Sequence, residues 1–78
     1  MSNLLEQFIT QECTAHVRRL LEDAIADVAT LRHHLEFNRF EVTIEHDANI
    51  VTLEDVIDPT EAGVARVPLA EFTSALWP

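Results

Sequence analysis

Apolar residues recur at Leu5, Phe8, Ile9, Cys13, Val17, Leu20, Ala24, Val28, Leu31 and Leu35, the spacing of one face of an α-helix. Leu4, Leu21 and Ile25 widen the stripe beyond a bare coiled-coil seam. No glycine or proline occurs before Pro59, so the pattern predicts one long helix over about residues 3–36. Asn3 followed by Glu6 fits a capping-box start, with Ser2 as the alternative cap. Arg32, His33 and His34 place positive charge near the closing carbonyls, and Asn38 suits a left-handed stop.

Such a helix, about 32 residues at 1.5 Å each, would run about 48 Å. A compact domain of this length is only roughly 30 Å across. The rest of the chain cannot cover the rod. Either the helix breaks, with the β-branched and polar run Thr10–Thr14 as the place, or its stripe continues onto a partner. The partner that symmetry favours is a second copy of the same chain. The expectation is a homodimer with Leu5, Ile9, Cys13, His16, Leu20 and Ala24 in the self-interface.

Beyond the helix the period changes to two. Phe40, Val42, Ile44 and His46 alternate with Glu41, Thr43 and Glu45, predicting a half-buried strand over about residues 39–46. Asp47-Ala48-Asn49 is a turn sequence. A second strand spans about residues 50–57, with Val51, Leu53 and Ile57 on one face and a bulge allowed near Glu54-Asp55. A four-residue turn sets His46 opposite Val51, Ile44 opposite Leu53 and Phe40 opposite Ile57. That register leaves Asp55 opposite Val42 on the apolar face. Residues 58–63 read as a loop, 64–67 as a short third strand or extended chain, and Pro68 as the first turn of a helix reaching residue 77. The fold class expected is α+β, in a single domain.

Composition narrows the setting. Seventy-eight residues bury only about 60% of the unfolded surface, so self-association is a natural source of stability. No apolar run reaches the roughly 18 residues of a membrane span. A single cysteine and no signal-like N-terminus point to the cytoplasm. Fourteen acidic residues against five arginines and no lysine give a net charge of −9. That charge repels phosphate backbones and steers toward basic protein surfaces.

Candidate chemistry is sparse. His33 and Glu36 share a helical face and, with His46, form a candidate metal set; capping of the helix C-terminus is the simpler role for His33 and His34. Asp47, Asn49 and Asp58 resemble parts of a calcium loop, but Thr52 stands where glycine is needed and Asp58 where glutamate is needed. Cys13 has His16 one turn away, yet it lies on the apolar stripe, where packing alone accounts for it. With two serines and one glycine the chain holds no phosphate loop and no nucleophile elbow. No catalytic residue, metal or cofactor is expected.

The most specific surface feature is acidic: Glu41, Glu45, Glu54 and Asp55 on the hairpin, Asp47 at its tip, Asp58 and Glu61 beyond. The expected function is a non-enzymatic protein-interaction module that meets a basic partner through this face and binds neither nucleic acid nor membrane. The alternative is an acidic inhibitor that mimics nucleic acid and blocks the basic site of a nuclease or similar protein.

Overall fold

The computed structural model describes residues 3–58 and 60–77. The chain is α+β: α1 (Asn3–Gln11), α2 (Ala15–Ala26), β1 (Arg32–Glu36), β2 (Phe40–Glu45), β3 (Ile50–Asp55), a 3-10 turn (Glu61–Gly63), β4 (Val64–Pro68) and α3 (Leu69–Leu76). The strands form one antiparallel meander in the order β1-β2-β3-β4.

The long helix does not exist. It breaks at Glu12–Thr14, within the run expected to bend, and ends at Ala26. Thr14 restarts it by accepting a hydrogen bond from the Val17 amide at 3.2 Å. Glu12 explains the break. Its carboxylate is buried and accepts from the amides of Arg39 at 2.6 Å and Phe40 at 3.3 Å. A continuous helix would carry that carboxylate away and leave both turn amides unsatisfied. The capping readings at Asn3 and Ser2, and Pro59 in the loop, lie outside what is described.

Residues 32–36, assigned to the helix by their spacing, form β1 instead. Leu35-Glu36-Phe37-Asn38 already carries strand alternation, and the Asn38-Arg39 turn continues it into Phe40, Val42 and Ile44. Asn38 therefore caps no helix. The left-handed residue is Asn49, with φ 55° in the β2–β3 turn.

The β2–β3 register differs by two residues from the expected one: Ile44 faces Val51, Val42 faces Leu53 and Phe40 faces Asp55. A shift of two preserves the faces, so the apolar set stays inward. The third strand forms, pairing Val67 with Val51 and Ala65 with Leu53.

The core lies between the sheet and the helices. Phe40, Val42, Ile44, Val51, Leu53 and Val67 face Leu4, Leu5, Phe8, Val17, Leu21, Ala24, Phe72 and Leu76, all buried. Phe8 is its hub, with ring centroids 5.5 Å from Phe40, 6.1 Å from Phe37 and 6.3 Å from Phe72. Arg18 donates to the Leu76 carbonyl and ties α2 to the end of α3. The single glycine is steric in origin: a Cβ at Gly63 would lie 2.3 Å from the Asp58 carbonyl oxygen.

Candidate functional site

Side chains alternate across each strand, so the residues between the core positions share the opposite face of the sheet. Strand pairing sets them in three rows: Arg32, Glu45, Ile50 and Pro68; His34, Thr43, Thr52 and Arg66; Glu36, Glu41, Glu54 and Val64. None of these residues is buried, and the core helices pack on the other face.

The third row sets three carboxylates on neighbouring strands, an unfavourable alignment of like charge. Glu36 and Glu41 are directly opposite. Glu41 is relieved by His34, whose Nε2 donates to Glu41 Oε1 at 2.8 Å. In the neutral ring Nδ1 then accepts from the Thr43 hydroxyl at 2.9 Å. Glu36 has no hydrogen bond or ion pair among the described residues, and neither has Arg32. One atom each of His34, Glu36 and Glu41 lies within 4.8 Å of the others. A cation held there would have to displace the His34–Glu41 bond.

The expected metal set does not assemble. In a strand, residues three apart face opposite ways, so Glu36 is outward while His33 is inward beside His46. Those two rings meet edge to face at 5.7 Å. Both serve the end of α2: His33 Nε2 lies 3.1 Å from the Asp27 carbonyl oxygen and His46 Nε2 3.0 Å from that of Ala24. His33 thus serves a helix C-terminus, but from the sheet. Asp47 and Asp58 stand at opposite ends of β3, so no calcium loop is closed.

The expected acidic face is divided. Glu41 and Glu54 are paired neighbours, whereas Glu45 lies two rows away and Asp47 at the far hairpin tip. Glu61 is exposed in the 3-10 turn. The Asp58 carboxylate accepts from the Thr60 hydroxyl at 2.6 Å and amide at 3.0 Å, which hold it below the usual aspartate range.

Asp55 leaves the acidic face altogether. It points inward, is 3% exposed, and receives Arg39 Nη2 at 2.8 Å, Arg39 Nε at 3.2 Å and the Ile57 amide at 3.0 Å. Arg39 first, then the Ile57 amide, holds its carboxyl below the ordinary value. A position that looked wrong for the register is satisfied by an ion pair.

Of the expected self-interface, Leu5 and Ala24 are core, and Ile9 and Cys13 pack against it. His16 and Leu20 remain exposed. Burial pushes the Cys13 thiol up to about 11, leaving it protonated and a poor nucleophile at neutral pH. Glu12 and Arg39 escaped the sequence reading because neither stands in a pattern; their roles arise only where the β1–β2 turn brings its amides to Glu12 and the Arg39 side chain to Asp55.

Compared with known families, with curated proteins and with solved structures, the chain finds no match. Among the described residues no helix is long and apolar enough to cross a membrane.

Proposed function

We propose that the chain is a non-enzymatic protein-interaction module whose docking face is the open side of its sheet and whose partner presents a basic surface. The supporting observation is the adjacent pair Glu41 and Glu54 on a face that no core helix covers. Apolar side chains border it: Val64 lies opposite Glu54, and Val56 and Ile57 follow β3, 43%, 48% and 70% exposed. Carboxylates beside exposed aliphatics suit a protein partner with arginine at its centre. A nucleic-acid-mimicking inhibitor would use the same carboxylates, but Arg66 and Arg32 interrupt the negative run. The lone cysteine, kept as a thiol, suits a cytoplasmic setting.

The test is binding of a fluorescent arginine-rich peptide at low salt. Glu41→Arg with Glu54→Arg should weaken it about tenfold, as loss of two charge pairs would. The control, Glu22→Arg with Asp23→Arg on the exposed side of α2, makes the same change in net charge. Equal loss in both pairs would mean that the peptide responds to total charge alone, and the docking face would be discarded.

A further inference from the structure

β1 is an edge strand with an unused row of backbone groups. Leu31 accepts from the His46 amide at 2.7 Å and the Phe37 amide donates to Phe40 at 2.9 Å. Odd-numbered residues of β1 therefore bond to β2, and the N–H and C=O groups of Arg32, His34 and Glu36 point away from the sheet. At the other edge the Leu69 amide bonds to Asn49, which sets Val64, Arg66 and Pro68 outward on β4. Pro68 has no N–H to offer, so that edge is blunted. β1 is not.

We infer that β1 is the seam of a homodimer, in which it pairs antiparallel with β1 of a second copy across a two-fold axis at His34. Only one register uses all three outward residues. His34 meets its own copy, and Arg32 of each chain lies opposite Glu36 of the other. This register supplies what one chain lacks: among the described residues Arg32 and Glu36 have no ion-pair partner, and Glu36 is pressed against Glu41. A partner arginine beside Glu36 removes that repulsion.

The helix layer agrees. α2 runs antiparallel to β1, because Asp27 at its end meets His33, while His16 and Val17 near its start share a groove of about 560 Å³ with Glu36 and Phe37. Leu20, at the middle of α2, lines the same groove and is 38% exposed. The middle of α2 and the end of β1 therefore lie on the same side of the molecule, the side on which the seam would stand. Strand pairing above and Leu20 against its copy below make a two-layer interface. The inference does not rest on the basic-partner reading: its seam contacts are Arg32, His34 and Glu36, and Glu41 enters only as the neighbour that repels Glu36.

Light scattering after size exclusion tests it through a complementary pair of variants, with circular dichroism confirming the fold of each. The native chain should have twice the 8.8 kDa mass of one copy. Arg32→Glu alone sets glutamate against glutamate, and Glu36→Arg alone sets arginine against arginine; each should raise the dimer Kd about tenfold or more. Mixed together, the two variants place unlike charges at both positions, and the dimer should return. The double variant R32E/E36R should also dimerise, and it decides the question should either single variant fail to fold. A native monomer at every concentration, a dimer indifferent to both single changes, or no recovery on mixing or in the double variant would overturn the seam.

Discussion

Asp55 shows how one residue settles a register. A carboxylate opposite an apolar position is costly unless it is paired, and the Arg39 fork supplies the pair from the β1–β2 turn. The guanidinium also lies 5.6 Å from the centre of the Phe40 ring. Because the folded carboxyl titrates below its unfolded value of 3.8, the folded state gains stability from it above that value. The gain is lost as pH falls from about 3.8 through the lower, folded value. Asp55→Asn should therefore lower the thermal midpoint at pH 7, and the two curves should converge as the pH drops below 4. Circular dichroism melts between pH 7 and 2.5 would show this. Parallel curves would mean that the Arg39–Asp55 pair contributes nothing to the acid response.

Among the elements, the strands β2 and β3 were legible and the extent of the first helix was not. Strict alternation from Phe40 to Glu45 and in Val51–Leu53 has one physical reading, a strand with one wet face, and the structure follows it. Helical spacing is less binding. Val17, Leu21 and Ala24 pack as their period requires, but Leu31 and Leu35 continue that period by coincidence in a turn and an edge strand. The length argument did carry information: a rod of about 48 Å cannot fit a body of 32 × 25 × 22 Å, and the break falls where β-branched and polar residues gather. What no pattern revealed was the agent of the break. Glu12→Ala should cost about 1.5–3 kcal/mol, because two turn amides lose a charged acceptor. Glu12→Gln, which keeps a carbonyl oxygen, should cost less. Urea denaturation of the two variants would separate them, and equal losses would show that a neutral carbonyl oxygen cannot stand in for the carboxylate at the turn amides. The candidate site was partly legible in the same way: Glu41 and Glu54 stand on the wet face by alternation alone, while His34 and Glu36 join them only once residues 32–36 are recognised as a strand.

As a whole the molecule is two layers, with helices on one side of a four-stranded sheet and an open face on the other. Its net charge of −9 draws basic proteins toward every part of the surface, and salt weakens that attraction without locating it. The proposed docking face is a matter of place as well as charge, the open side of the sheet. The most direct measurement is an NMR titration of the ¹⁵N-labelled chain with an arginine-rich peptide, following each backbone amide. Docking on the open face should give the largest shifts at Glu41, Thr43, Thr52 and Glu54, with α1 and α3 unmoved. Shifts concentrated on the helices, or spread evenly over all acidic residues, would contradict it.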